Sequence, residues 1–169
     1  MGRDNQRYPK TNYAIDLKAH ITSSITSPTT NSWTDFSGFN VIDYESSGEA
    51  VEMDVDSKSF ILKRKGLWEF GGCVHFQNNS GAQISPLVAS RIYVNDNDEA
   101  RCSQRAFEDT QKDDTENTLT YSGTYKASYG DSMRLQYYVT TTDIDFISNA
   151  VFDSTVAATI MLGYKGRVK

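Results

Sequence analysis

Side chains alternate between two chemical classes from Gly66 to Gln77, and this alternation constrains the fold more than any other feature of the chain. Every second residue is large and apolar or is glycine, whereas the intervening residues are mostly polar or small. A period of two predicts a half-buried strand and excludes an amphipathic helix. The buried face consists of Trp68, Phe70, Gly72, Val74 and Phe76. Three aromatic rings, each contributing roughly 1.5–3 kcal/mol when buried, require a second sheet to cover them.

Five further segments are predicted as strands, some with one polar face and some, such as Leu87 to Asn95, with apolar residues on both faces. They are Tyr13 to Thr22, Leu87 to Asn95, Leu119 to Ala127, Met133 to Thr141 and Ser154 to Gly163. Polar turns separate them, and no segment shows a convincing helical spacing. The pattern predicts an all-β protein, either a two-sheet sandwich or a jelly roll. The predicted core is Trp68, Phe70, Val74, Phe76, Ile92, Val94, Leu119, Tyr121, Leu135, Tyr137, Ile160 and Leu162.

Length and charge limit the number of domains and the classes of partner. The 169 residues fit one domain, which we place at residues 13–169, after a polar, aperiodic and flexible N-terminal arm at residues 1–12. The net charge is -5, and basic residues are scattered apart from Lys63, Arg64 and Lys65, which argues against nucleic acid as a partner. No apolar run has the length of a signal peptide core or a membrane span, so we expect synthesis in the cytosol and no membrane partner.

Residues that carry enzyme or metal chemistry form no recognisable constellation. His20 and His75 lie on predicted strands without Cys or Asp in metal-ligand spacing. The acidic runs Asp96 to Glu99 and Asp113 to Glu116 lack the glycine that a helix-flanked calcium loop needs. Cys73 shares a strand face with His75, and the simplest interpretation is a packed thiol. We therefore expect no metal, no cofactor and no enzymatic activity.

From Ser59 to Leu162 the order of these signals resembles the jelly roll of the tumour necrosis factor superfamily and the complement globular-head domains. Gly66-Leu67-Trp68-Glu69-Phe70 stands where that family has Gly-x-Tyr-x-Phe, and Ile92-Tyr93-Val94-Asn95 where a strand ends in an Asn turn. Gly130-Asp131 precedes a strand of alternating apolar residues, and a closing strand with small residues completes the order. The resemblance implies a two-sheet antiparallel β-sandwich with jelly-roll topology.

Members of that family form trimers, with one sheet turned toward a threefold axis, and they function by binding. The resemblance therefore implies a homotrimer. The resemblance places the strands at Leu87 to Asn95, Met133 to Thr141 and Ser154 to Gly163 in the inward sheet, and their apolar, aromatic or uncharged second faces support this. The strand at Leu119 to Ala127, whose second face is polar, is assigned to the outward sheet. The predicted trimer contact is Tyr93, Gln136, Tyr138 and Met161, and the alternative is that they are ordinary surface or core residues.

The sequence shows no collagen stalk, membrane anchor or secretory signal, which favours a component of a bacteriophage virion over an animal member of the family. We expect a non-enzymatic structural protein on the virion surface, a capsid decoration or head fibre, docked on other virion proteins through Arg3, Arg7 and Tyr8 of the arm. The first alternative is a tail-fibre receptor-binding head that recognises a host surface glycan or protein. Further alternatives are a glycan hydrolase, which needs two carboxylates about 5–9.5 Å apart, and a lectin, with Trp33 as its candidate residue.

Overall fold

The computed structural model describes residues 15–45, 50–54, 58–96, 116–147 and 157–167, and these ranges hold eleven strands and no helix. The strands are β1 (Leu17–Ile21), β2 (Thr34–Asp35), β3 (Val41–Glu45), β4 (Val51–Met53), β5 (Ser59–Leu62), β6 (Gly66–Asn78), β7 (Val88–Val94), β8 (Glu116–Ala127), β9 (Ser132–Val139), β10 (Ile144–Phe146) and β11 (Ala158–Gly166). No helix in these ranges is long and apolar enough to cross a bilayer. The predicted arm at residues 1–12 lies outside the described residues.

The strands form two sheets in which all described pairings are antiparallel. The first sheet runs β8, β6, β11, β1 and β3, and β10 pairs with the end of β6 beyond β11. The second sheet is built on β9, which pairs with β7 along one edge and with β5 and β2 along the other, and β4 extends it beyond β5. The predicted all-β architecture with two antiparallel sheets is confirmed.

The inward faces of the two sheets enclose an aromatic core. All twelve residues predicted for the core are buried, with exposed fractions between 0% and 4%. Phe36 and Phe39, which follow β2, enter the same core and are fully buried. Phe36 packs edge-on against Tyr137 and Phe146, with ring centroids 4.9 and 5.1 Å apart. Such edge-to-face pairs add about 0.5–1.5 kcal/mol each to the burial of the rings.

Two glycines of β6 are required by the close approach of neighbouring groups. Gly66 has a φ of +154°, and a Cβ at this position would overlap the backbone of Gly166 on β11. Gly72 faces the core, where the hydroxyl of Tyr121 passes over it and donates a hydrogen bond of 2.6 Å to the carbonyl oxygen of Thr159. The aromatic ring therefore fills the space left by the missing side chain.

The assignment of strands to sheets from the sequence is partly wrong. We predicted that the strands at Leu87 to Asn95, Met133 to Thr141 and Ser154 to Gly163 share one sheet and that Leu119 to Ala127 lies in the other. The structure places β7 and β9 in the second sheet, but β11 joins β8 in the first, with β6 between them. The alternation of side chains indicates how exposed each strand face is to solvent, but it does not indicate which strands pair with each other.

Candidate functional site

The outer face of the first sheet is formed by small and uncharged side chains. Along β6, β8 and β11 the outward positions of its middle part contain no Asp, Glu, Lys or Arg, and they are exposed or half-buried. These positions are Gly71, Cys73, His75, Thr118, Thr120, Ser122, Thr159, Met161 and Gly163. A face with so few charges is unusual for a surface that meets only water.

Met161 lies on the side of this neutral face toward β1, where its register partner is Lys18. It stands beside Gly71 on β6, and Gly71 in turn stands beside Ser122 on β8. Because the two residues next to Met161 toward β8 are small, the surface sinks there into a shallow depression of about 290 Å³, and the exposed Ile15 also lines it. The depression is bounded by the ion pair of Lys165 with Glu69 at one end.

The polar groups of the neutral face are bonded to one another. The Cys73 sulfur lies 3.1 Å from Thr159 Oγ1 and 3.5 Å from His75 Nε2. The other ring nitrogen of that histidine, Nδ1, lies 2.8 Å from Thr118 Oγ1. Since the groups of Cys73, His75, Thr118 and Thr159 already have partners, another protein surface can cover these four side chains without leaving their donors and acceptors unsatisfied.

The contact of Cys73 with His75 does not form an acyl-transfer site. The two residues lie on an open sheet face, and their backbone N–H groups are used, by Thr159 Oγ1 and by the carbonyl oxygen of Ala157. A nucleophilic thiol would need nearby free donors to stabilise an oxyanion. Within the described ranges, His, Cys, Asp and Glu also form no group of three that could hold a metal ion.

The outer face of the second sheet carries an alternating stack of arginines and aromatic rings. The guanidinium carbon of Arg91 lies 4.2 Å from the ring centroid of Trp33 and 5.0 Å from that of Tyr93. The guanidinium carbon of Arg134 lies 5.3 Å from the same Tyr93 centroid, so the ring of Tyr93 contacts both arginines. Trp33 also packs against Tyr138, with centroids 5.5 Å apart. Each cation–π contact contributes about 0.5–1 kcal/mol at an exposed site.

Hydrogen bonds to Gln136 and Asp35 hold the arginines of this stack in place. Gln136 accepts a bond of 2.8 Å from Arg91 Nε and donates one of 2.6 Å to Asp35. Asp35 also accepts a bond of 3.0 Å from Arg134, which reaches Asp96 with its other terminal nitrogen. The arginines therefore hold the aromatic rings of this face within one protomer, and the face carries both signs of charge.

The four residues predicted for the trimer contact do not share one sheet, which corrects the expected inward sheet, and their contact with other copies stays a prediction. Tyr93, Gln136 and Tyr138 lie on the second sheet, whereas Met161 lies on the first. The rings that we expected other copies to cover are covered by Trp33 and Arg91 of the same chain. The alternation of Arg with Tyr on the second faces of β7 and β9 was the sequence signal for this stack. Arg3, Arg7 and Tyr8, which we predicted to dock the arm, lie outside the described residues.

Comparison with known proteins identifies the fold. No family model and no curated protein matches the chain. Among solved structures, it is similar to the globular domain of the zebrafish complement 1qA protein, with a TM-score of 0.51 over 90% of this chain and 98% of that chain. The fold is a complement-type jelly roll. The two sequences are 8% identical, so the similarity concerns the fold alone. The fold implied by the motifs at Gly66, Ile92 and Gly130 is thereby confirmed.

Proposed function

We propose that the chain is a non-enzymatic structural and binding head that works as a homotrimer, with the outer face of the first sheet turned toward the other two copies. The observation that carries this proposal is the contrast between the two outer faces. The middle positions of β6, β8 and β11 carry no charged side chain, and Lys18 of β1 borders them beside Met161. The second sheet instead displays Arg91, Arg134 and Asp35. The jelly-roll resemblance independently implies a threefold arrangement.

Desolvation explains why the first sheet is the better interface. Covering the second sheet would remove two guanidinium groups and at least one carboxylate from water, at a cost of several kcal/mol per ion. Covering the first sheet over β6, β8 and β11 removes mainly Thr, Ser and Gly side chains and the thioether of Met161 from water, with the ammonium group of Lys18 at the border, and the bonded groups of Cys73 and His75 keep their partners. In a cyclic trimer each copy offers two different patches, one to each neighbour, and a sheet face of five strands is wide enough for both.

The mass of the protein in solution tests this assembly directly. We expect a stable trimer at micromolar concentration by sedimentation equilibrium or by light scattering coupled to size exclusion. A stable monomer at that concentration would contradict the assembly and, with it, the function built on it.

For the biological setting we propose the surface of a virus particle, as a capsid decoration or head fibre docked on other virion proteins through the N-terminal arm. In support, the chain enters the first sheet on the side where β11 continues toward Gly166: Asp16 N–H bonds the carbonyl oxygen of Leu162 at the middle of β11, and Tyr164 N–H bonds the Asp16 carboxylate. Three arms of a trimer would then leave from the same end. A triple variant, Arg3→Ala, Arg7→Ala and Tyr8→Ala, is expected to stay trimeric and to lose binding to purified particles, and unchanged binding would reject the docking role.

The alternative function is a tail-fibre receptor-binding head, and the aromatic stack of the second sheet favours it. In a trimer built on the first sheet, Trp33 and Tyr138 face outward, and paired rings with nearby Arg and Asp side chains suit the recognition of sugars or polar protein surfaces. The purified protein should then block adsorption of particles to host cells. A Trp33→Ala variant should lose that block while staying trimeric, and blocking that persists in this variant would reject the stack as the receptor site.

A further inference from the structure

A cavity at one end of the sandwich collects positive charge on a protein that is acidic overall. The cavity has a volume of about 770 Å³, and the net charge of the chain is -5. Five of the side chains that line it are cationic, and none of the described residues that line it is acidic. The five are Lys63, Arg64, Lys65, Lys126 and Arg167. Such a concentration of one sign creates a local positive potential against the field of the whole protein.

Strand pairing brings these cations together from distant parts of the sequence. Lys63, Arg64 and Lys65 form the connection between β5 and β6. Lys126, near the end of β8, is the register partner of Leu67 at the start of β6, and β11 reaches the same place before Arg167. The run of three basic residues is visible in the sequence, but Lys126 and Arg167 join it only through the fold.

Backbone contacts hold the walls of the cavity in position. The carbonyl oxygen of Arg64 accepts a hydrogen bond of 2.9 Å from the indole of Trp68, and that of Lys65 accepts one of 3.1 Å from the Tyr164 hydroxyl. Gly130 N–H bonds the carbonyl oxygen of Leu62, which fixes the turn that carries Tyr129. The site is therefore largely pre-formed, as ligand sites usually are.

Three of the cations have no carboxylate partner in the part of the chain that the structure describes. Lys63 pairs with Glu52, and this hydrogen bond raises the pKa of Lys63, so the amine is fully charged at neutral pH. Arg64 lies 3.8 Å from Asp16. No such ion pair with a described carboxylate is formed by the other three cations, Lys65, Lys126 and Arg167. An anionic ligand can therefore bind here without displacing an existing ion pair.

We propose that this cavity binds an acidic saccharide, a sugar chain that carries sulfate or carboxylate groups. The uncompensated cations supply contacts for two or more anionic groups, and Tyr129 supplies a flat ring for the apolar face of a sugar. The ring of Tyr164 is instead packed against Arg64 and Trp68. Tyr129 is 70% exposed and is available to a ligand without rearrangement. The volume suits one or two sugar units, within the usual 300–1,000 Å³ of ligand pockets. The site lies within one protomer, so the inference depends neither on the trimer nor on the virion role.

The shape of the positive region distinguishes a saccharide from other polyanions. Nucleic acid binding needs a basic stripe that follows the backbone over many phosphates. Here the cations surround one bowl at the ends of β8 and β11, and the adjoining outer face of the first sheet is neutral. An acidic peptide would need backbone donors and acceptors at an open strand edge. Of the described residues that line the cavity, only Lys126 and Ala127 lie in an edge strand, β8, and the others come from β6, β11 and the connections between strands, so most of the cavity wall offers no open strand edge.

Binding of a sulfated, heparin-type hexasaccharide to the full chain tests the proposal, with a galacturonic acid oligosaccharide as the carboxylate probe and a neutral dextran oligosaccharide as the blank. At physiological ionic strength we expect one or both acidic sugars to bind and the neutral sugar not to bind. Lys126→Gln and Arg167→Gln should each weaken binding about fivefold, as for the loss of one partly screened charge contact. Both side chains are exposed, so the variants should unfold at the same temperature as the parent.

Lys58→Gln is the matched control, because Lys58 is an exposed lysine at the opposite end of β5 from Lys63. It removes the same charge from the molecule but not from the cavity, and we expect less than a twofold effect. An equal loss in the control would show that only net charge matters and would overturn the site. Tighter binding of a short polyglutamate peptide or of a single-stranded oligonucleotide than of either acidic sugar would overturn the saccharide assignment.

Discussion

Replacing Met161 by lysine tests the proposed assembly sharply, because the structure separates the effect on the protomer from the effect on the trimer. Met161 stands opposite Lys18 on β1 and Gly71 on β6. Met161→Lys therefore places two ammonium groups on adjacent strands, with about 5 Å between the Cβ atoms. In water their repulsion is about 0.8 kcal/mol. The protomer should stay folded, since this is a small part of the 5–15 kcal/mol that typically stabilises a domain.

In the trimer the same substitution has a much larger effect. If the neutral face is covered by neighbouring copies, the repulsion between the two amines rises to about 3 kcal/mol at the effective dielectric constant of a protein interior. Desolvation of the new ammonium group at position 161 adds several kcal/mol. On assembly the repulsion rises by about 2.2 kcal/mol in each copy, which sums to about 7 kcal/mol per trimer, so Met161→Lys should be monomeric at micromolar concentration.

The assay is sedimentation velocity at several protein concentrations, with circular dichroism to confirm the fold. Ile61→Lys is the matched control, because Ile61 is a half-buried apolar residue on the outer face of the second sheet, opposite Glu52 on β4. We expect this variant to remain trimeric. A Met161→Lys protein that still sediments as a trimer, or an Ile61→Lys protein that dissociates, refutes the assignment of the interface to the first sheet.

Two further predictions concern the fold and the second sheet. Gly72→Ala should lower the free energy of unfolding by about 2–4 kcal/mol in urea titrations, because the new Cβ overlaps the carbonyl oxygen of Thr159. At the neighbouring Gly71 the nearest atom lies at 3.4 Å, so Gly71→Ala should be neutral or stabilising by up to about 1 kcal/mol. Tyr138→Ala should shift the emission of Trp33 to longer wavelength without changing the solution mass, and dissociation would show that Tyr138 lies at an interface after all.

The fold could be predicted from the sequence where a strand has one legible face. Along β6 the apolar and polar positions separate cleanly, and the structure keeps Trp68, Phe70, Val74 and Phe76 buried. The short motifs at Gly66, Ile92 and Gly130 then gave the order of elements. Strand partners were not predictable in the same way, because the periodicity of β11 is the same whether it pairs with β6 or with β9.

The candidate sites could not be predicted from the sequence, because they depend on contacts between residues that are far apart in the chain. Such contacts leave no local pattern in the sequence. Tyr138 has the same pattern in the sequence whether a second copy covers it or Trp33 does. The basic cavity combines the visible run at Lys63 with Lys126 and Arg167, which reach it only because β8 and β11 both pair with β6. The pattern of side chains predicts which face of a strand is apolar. Which residues pack on that face depends on how the strands are arranged in the sheets.

The position of the basic cavity limits how docking and ligand binding can be combined. β6 begins at the cavity, β8 and β11 end there, and the chain enters β1 at the same end, where Tyr164 N–H bonds Asp16. In a trimer packed through the first sheet, three cavities would lie beside the three points where the arms leave. If the arms dock the trimer on a particle, the cavities face the particle and the acidic sugar would compete with docking. If the sugar belongs to a host cell, the end of the trimer opposite the cavities must be attached to the virion. Adding the acidic sugar should then leave binding of the protein to particles unchanged.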